Sequence, residues 1–492
     1  MERGGARKLV VATLANVGVA INFASIEVAV LLMRHGERLE TSWLMSLLDS
    51  LVFIGCIVGM VIFGYAGDAI GRLVGLRVTM LVAIAGILAS LAPLESPTQL
   101  ELTLCFSRFV VGVGCGGVYP LSAALAYESE STPKLAELSV AVANFGQPLG
   151  SVLLYACALV LYSTPASSAA IWRITLVFGA LPFVAAIALT FGLAPDDHHQ
   201  ATLTESLTSY LAARRGLRFA LVGAGLAWFG YNSYSYGIIT FYPQLSAAIL
   251  GDNTLTILAS DLAGSVSAVV VAAVSLYDVK RNGARASVVT GAAAGSAFCV
   301  GLYVVAVTGA DGSRAVLLWL FVLLRGLVQW PSVGIFALPN TIFSRAVRSR
   351  THGIAAAIGK LGAIFGSATY PLILDSAGFA VVVVVTAFAS AATAFACVAL
   401  VPNDPSAVLL DKSSSSSSKA TGPFTAAQRC LATTSQQQQQ QQQKGPANSV
   451  VSASPSSSIT HPYSELDPLI QAAHDLEEDA PSAGAFSDHG SP

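Results

Sequence analysis

Four ionisable residues lie in stretches of this chain that are otherwise almost wholly apolar. They are Glu27 in INFASIEVAV, Arg108 in CFSRFVVGVG, Arg325 in FVLLRGLVQW and Lys360 in AAAIGKLGAI. A charge inside a long apolar helix is costly unless it is paired or faces water, so each marks a cavity or a partner. Snorkelling does not rescue Lys360, which stands eight residues past His352 and deep in its run. It reads as a cavity-lining lysine that meets either an anionic solute or a carboxylate. Two aromatic-polar stretches accompany these charges. Tyr119, in GGVYPLSA, can donate its phenol to an anion or to a sugar hydroxyl. In WFGYNSYSYG, Trp228 and Asn232 are four apart and share a helix face. This chemistry binds a small polar or anionic solute; it offers no nucleophile with a base, so an enzyme is not indicated.

Side chains of this kind need apolar helices to hold them. The 492 residues are 54% hydrophobic and 11% charged, with a mean hydropathy of +0.66. A water-soluble chain carries about 25% charged residues, so this one is a polytopic membrane protein whose environment includes the lipid bilayer. Runs of about 20 apolar residues predict twelve spans, at roughly 8–33, 43–66, 76–94, 101–127, 135–162, 170–193, 218–242, 254–277, 286–309, 314–338, 352–374 and 377–401. The first is too long for the apolar core of a signal peptide and reads as a retained span. A formal charge of −2 argues against a nucleic-acid partner. The seven cysteines stand singly, with no Cys-x-x-Cys and no Cys/His cluster, so neither a disulfide frame, a metal site nor any other cofactor is indicated.

Loop charge predicts the orientation. With both termini cytosolic, one side of the membrane holds Arg3, Arg7, Lys8, Arg72, Arg77, Lys134, Arg214, Arg215, Arg218, Lys280, Arg281, Arg285, Arg345, Arg348 and Arg350. The other keeps Arg34, Arg38, Arg173 and Arg314, which is the positive-inside bias. The halves echo each other. GYAGDAIGRLVGLR at 64–77 is matched by SLYDVKRNGAR at 275–285, and LAPDD at 193–197 by LVPND at 400–404. A recurrence near 210 residues predicts two pseudo-symmetric six-helix bundles in an all-α fold, the arrangement of an alternating-access carrier. The predicted domains are a bundle at 1–193, a cytoplasmic linker at 194–217, a second bundle at 218–404 and a disordered cytoplasmic tail at 405–492. That tail carries six consecutive serines and eight consecutive glutamines, too polar to bury a core.

In the turn after span two, Gly64, Asp68, Gly71 and Arg72 fit the pattern G-x-x-x-D-x-x-G-R. There the chain resembles the major facilitator superfamily, in which this turn latches the two halves together. Within it, RFVVGVGCGGVYPLSA is similar to the phosphate:proton symporter branch, near the sugar porters: Arg108, Gly112, Gly114, Gly116, Gly117, Tyr119, Pro120, Leu121, Ser122 and Ala123 match. RTHGIAAAIGKLGA, with Lys360, resembles that branch's R-x-x-x-H-G-I-x-A-A-x-G-K-x-G-A. Trp228, Tyr236 and Gly237 sit where the branch has W-x-x-x-D-x-x-x-Y-G, with Asn232 in place of the aspartate, and Gln147 in NFGQPLG resembles its substrate-binding glutamine. The resemblance implies a solute site built from Tyr119, Gln147, Trp228, Asn232, Tyr236 and Lys360, probed by a monomeric carrier's small-molecule solute.

The departures carry as much information. Where the symporters have acids for proton coupling, this chain has Val118 and Asn232, and the acid of their P-E-x-F-P element is Asn340 in LPNTIF. Glu27 then becomes the candidate proton carrier, or a structural partner for Lys360 or Arg108. Asp49 and Asp261 are expected near span ends. With two acids gone, Arg108, Arg325 and Lys360 leave the cavity more positive, which favours inorganic phosphate or an organic anion and an altered coupling. The alternatives are a sugar or polyol facilitator and a transporter-like nutrient receptor signalling through its tail. In HPYSELDPLI, Tyr463 with Leu466 forms a tyrosine-type sorting pattern, and Glu465 with Leu469 and Ile470 an acidic dileucine pattern. Coat adaptors are the partners these imply, and endosomal, lysosome-like or plasma membrane is the location.

Overall fold

The computed structural model describes residues 3–36, 43–92, 96–193, 206–212, 215–240, 242–243, 246, 251, 253–308 and 314–403. The sorting patterns at 463–470, the tail that holds them and most of the expected linker lie outside the described residues.

Fifteen helices are described in chain order. The first seven are α1 Arg3–Gly36, α2 Trp43–Ile70, α3 Arg72–Ala89, α4 Pro97–Glu128, α5 Pro133–Tyr162, α6 Ser168–Phe178 and α7 Ala180–Thr190. A short α8, Leu207–Ala212, precedes α9 Arg215–Thr240, α10 Thr254–Asn282, α11 Ala284–Thr308, α12 Arg314–Leu327, α13 Trp330–Ile342, α14 Arg348–Ala377 and α15 Phe379–Leu400. Every expected span has its helix. Two spans are built from paired helices: α6 and α7 meet at Gly179, and α12 gives way to α13 at residues 328–329. Among the described residues, eleven segments are long and apolar enough to cross a membrane. The twelfth, α9, has the length but not the hydropathy, because Asn232, Ser233 and Ser235 among its tyrosines dilute it.

Helix starts follow ordinary capping chemistry. Thr132 accepts from the Leu135 N–H ahead of Pro133, and Asn253 accepts from the N–H groups of Leu255 and Thr256. Gly71 and Gly283 take φ of 98° and 87°, which turns the chain tightly from α2 into α3 and from α10 into α11. The fold is all-helical, with two six-helix halves, and the repeat seen in the sequence recurs in its bonds. Arg77 on α3 donates to the Oγ1 and carbonyl of Thr190 at 2.7 and 2.8 Å. Its counterpart Arg285 on α11 donates to the carbonyls of Val401 and Val398, both at 2.9 Å. The halves meet along α2 against α14 and α5 against α10.

Candidate functional site

A cavity opens on this seam, and both halves line it. Glu27 of α1, Tyr119 of α4, Gln147 of α5, Trp228, Asn232 and Tyr236 of α9, Arg325 of α12 and Lys360 of α14 all face it. Arg108 is buried but does not line the cavity; it donates to the Asn22 carbonyl at 2.6 Å.

Lys360 is 1% exposed. Its ammonium lies 4.3 to 5.2 Å from the ring centres of Phe23, Phe53, Tyr119 and Tyr236 and donates to the Tyr236 hydroxyl. Aromatic faces stabilise a desolvated cation, which explains how a lysine survives here with no carboxylate in ion-pair reach among the described residues. Of the two partners foreseen for Lys360, the carboxylate is therefore not found among the described residues. Gly359 sets the register: a Cβ there would fall 2.6 Å from the Trp228 ring, so its absence lets α9 close on α14. Below the lysine, Trp228 and Phe336 pack edge-on against His352, at 5.4 and 5.1 Å. His352 Nδ1 lies 2.9 Å from the Asn340 amide, so the position that is acidic in the symporters here pairs with a buried imidazole.

Two polar residues that the sequence reading did not single out, Asn144 and Ser332, also line the wall, and Gln147 is held from behind it. Gln147 donates to Asn16 at 3.2 Å, and Asn16 donates to Ser122 at 3.0 Å. Across the seam Ser332 donates to Asn144 at 3.1 Å. Helical spacing held the signal for Asn144, which stands one turn before Gln147 and on its face.

Glu27 meets neither partner foreseen for it by direct bond. Tyr155 donates to its carboxylate at 2.6 Å, while Arg325 and Arg108 act on it through space. Asp261 does not sit near a span end. It is 1% exposed, inside α10, with its carboxylate 3.6 Å from the Arg325 guanidinium. Two apolar-to-polar steps in ASDLAGS gave too little pattern to reveal this. The side chain of Asp49 lies outside the described residues. Val118 is 0% exposed and part of the apolar core, not of the cavity wall.

Residues 10–350 match the Major Facilitator Superfamily. This chain belongs to that superfamily. It is 30% identical over 389 residues to inorganic phosphate transporter PT2 of Toxoplasma gondii, covering 76% of this chain and 68% of that protein. Inorganic phosphate transporter 1-6 of Oryza sativa subsp. japonica is 27% identical over 390 residues, covering 65% of this chain and 71% of its own. In fold the chain is similar to the proton:xylose symporter XylE, with a TM-score of 0.68, 18% identity and 81% and 96% of the two chains covered. A transporter superfamily, not an enzyme family, is the setting for the cavity.

At the end of the bundle that carries the α2–α3 turn, the two halves of this superfamily member are tied together. Asp68 accepts from Arg350 Nε at 2.9 Å and lies 2.9 Å from Arg72. Arg72 in turn donates to the carbonyls of Gly67 at 2.8 Å and Arg345 at 2.9 Å. Gly64 has no room for a side chain, since a Cβ would come within 2.9 Å of the Ser349 carbonyl. At the centre stands Glu128, the last residue of α4, within 3.3 Å of Arg72 and Arg345 and 3.0 Å of Arg348. The sequence reading named the four turn residues but not this hub. Its signal was the acidic end of a helix facing a loop crowded with arginines.

Proposed function

We propose that this secondary transporter carries inorganic phosphate, or a closely similar small anion, through the seam cavity by rocking its two halves. One observation carries this reading: two cations, Lys360 and Arg325, line the same cavity, and Lys360 has aromatic rings where a carboxylate partner would otherwise stand. An anion entering that space gains charge-assisted hydrogen bonds in a low-dielectric setting. The names of the phosphate-transporting relatives support the same choice. Tyr119, Gln147, Trp228, Asn232 and Tyr236 would orient the solute, while Glu27, Arg108 and Arg325 set the charge around it. The turn at Gly64, Asp68, Gly71 and Arg72 would act as the conformational latch.

Purified protein in proteoliposomes should exchange radiolabelled phosphate, and phosphate should raise its thermal midpoint as a native-state ligand does. Binding with no flux would favour the receptor reading. Flux of a pentose or polyol that phosphate does not inhibit would sink the anion reading; the neutral donors Asn144, Gln147 and Asn232 make that the second choice. The loop charges favour cytosolic termini, which would present Tyr463, Glu465, Leu466, Leu469 and Ile470 to coat adaptors of endosomal traffic. Surface retention of a Tyr463→Ala, Leu469→Ala variant would bear that out.

A further inference from the structure

The seam holds a second constellation beside the lysine box. Arg325 of α12 reaches the cavity with one side and Asp261 of α10 with the other. Its guanidinium donates to Ser265 at 3.2 Å and lies over the rings of Tyr242 and Tyr155, at 4.6 and 5.6 Å. The two carboxylates near it are held very differently. Glu27 accepts a 2.6 Å hydrogen bond from Tyr155 and faces both Arg325 and Arg108. Asp261 faces Arg325 as its counter-charge, with Glu27 as a neighbouring like charge. At 3.6 Å that ion pair is too long for a hydrogen bond, and Asp261 Oδ1 has no donor among the described residues. The groups facing this acid are thus Glu27 from α1, Tyr155 from α5, Tyr242 after α9 and Arg325 from α12, while Arg108 of α4 faces Glu27.

We propose that Asp261 is the coupling acid of this transporter: it takes up a proton when an anionic solute draws Arg325 away from it. The proposal rests on the reading that the solute is an anion. Two guanidiniums, Arg325 and Arg108, stand near two carboxylates, Glu27 and Asp261, with Lys360 as a further cation on the cavity wall. An anion that engages Arg325 from the cavity removes the counter-charge on which Asp261 depends. A buried carboxylate without a counter-charge neutralises rather than stay ionised, so a proton from solvent binds its free oxygen. Anion and proton then enter together and leave together, because the coupling between two sites is reciprocal. This places coupling on α10 and α12, away from Val118 and Asn232, where the phosphate symporters have their acids.

The test uses the purified full-length chain. In lightly buffered solution with a pH dye, inorganic phosphate adjusted to the same pH should cause proton uptake by the wild type beyond that of Asp261→Asn, and its Kd should tighten by about tenfold more per unit fall in pH than the variant's within the linked range. Asp261→Asn should still bind phosphate while its proton uptake falls by about one per site, to what phosphate's own second ionisation supplies, and its Kd loses about one tenfold step per pH unit. Asp261→Glu, which keeps an acid and guards against a folding failure of the amide, should restore both. Undiminished uptake in Asp261→Asn, or binding without uptake in the wild type, overturns the proposal. If the wild type binds no phosphate, the phosphate reading fails by itself, and the ligand-free protein decides the acid. Infrared titration should then show a protonated-carboxyl band that Asp261→Asn removes, Glu27→Gln keeps, and Arg325→Gln shifts to higher pH. A band unchanged by Asp261→Asn and Arg325→Gln overturns the proposal on that arm.

Discussion

Lys360 and Val118 show how much a single side chain can decide in a bilayer. Lys360 is held in the cavity by aromatic faces and one hydroxyl, so on the proposed anion reading its charge would serve solute binding more than folding. Replacing a buried ion by an apolar residue of similar shape is often neutral or stabilising. Lys360→Met should therefore fold with an unchanged or higher thermal midpoint, while the phosphate-induced shift in that midpoint disappears. Loss of the fold instead would show the lysine to be structural. Val118 and Asn232 make a contrasting pair. A carboxylate at Val118 would lie in a packed apolar core with no partner, so Val118→Asp should cost about 4 kcal/mol and lower expression of folded protein. Asn232→Asp faces the cavity shared by Lys360 and Arg325, so it should fold and change only the pH dependence of uptake. Fluorescence size-exclusion of the two variants side by side separates these outcomes. The cavity residues were legible in the sequence because buried charge and aromatic-polar stretches are rare in apolar helices. The partner of Asp261 was not, because nothing in a linear pattern says which distant guanidinium an acid will meet, and for Glu128 the acidic helix end was visible but not the arginines it gathers.

The glycines where α2 and α3 meet α4 explain why the elements stand where they do. A Cβ at Gly86 of α3 would fall 2.7 Å from the Val111 amide nitrogen, and one at Gly59 or Gly116 would strike the backbone of the facing helix. Helices that lack a hydrophobic drive toward each other in lipid gain their contact from such close approach. Gly116→Val should thus lose about 3 kcal/mol or more through overpacking, since backbone cannot yield as a flexible side chain would. Gly301→Ala on α11 meets nothing within 4 Å and should behave as wild type in the same thermal unfolding assay. Equal midpoints for the two would show that the α2–α4 contact does not depend on these positions. Apart from α9 the spans could be read from hydropathy, and their repeat near 210 residues from matching loop motifs. What could not be read was continuity: the break at Gly179 and the one before Pro331 are local departures within runs that look uniformly apolar. The helix with the least hydropathy, α9, was recognisable as a span by its length and charge-free interior, and the same polar residues that dilute it make it the main wall of the cavity.

For the whole molecule the consequence lies in the ion network at one end of the seam. Glu128 holds Arg72 of its own half and both Arg345 and Arg348 of the other, so one carboxylate stabilises the arrangement in which that end is shut. A transporter needs this arrangement to be only slightly favoured, because each half-cycle must break it. Removing one member of a largely buried charge network typically costs about 2 kcal/mol or more, equivalent to a roughly thirtyfold change in the open-to-shut ratio. Glu128→Gln should leave the cavity intact and shift the molecule toward opening at that end. A cysteine introduced at Ala268, on the cavity wall of α10, reports the change. In membrane vesicles presenting the arginine-rich face, an impermeant thiol reagent should label it roughly thirtyfold faster in the Glu128→Gln background. Glu137 is the control for specificity. It accepts from the Ala284 N–H at 2.7 Å and so joins α5 to the start of α11 by a helix-end contact instead of an ion pair. Glu137→Gln keeps an acceptor there and should move the labelling rate far less. Equal rates in the two variants would mean that the network around Glu128 does not govern closure of this end.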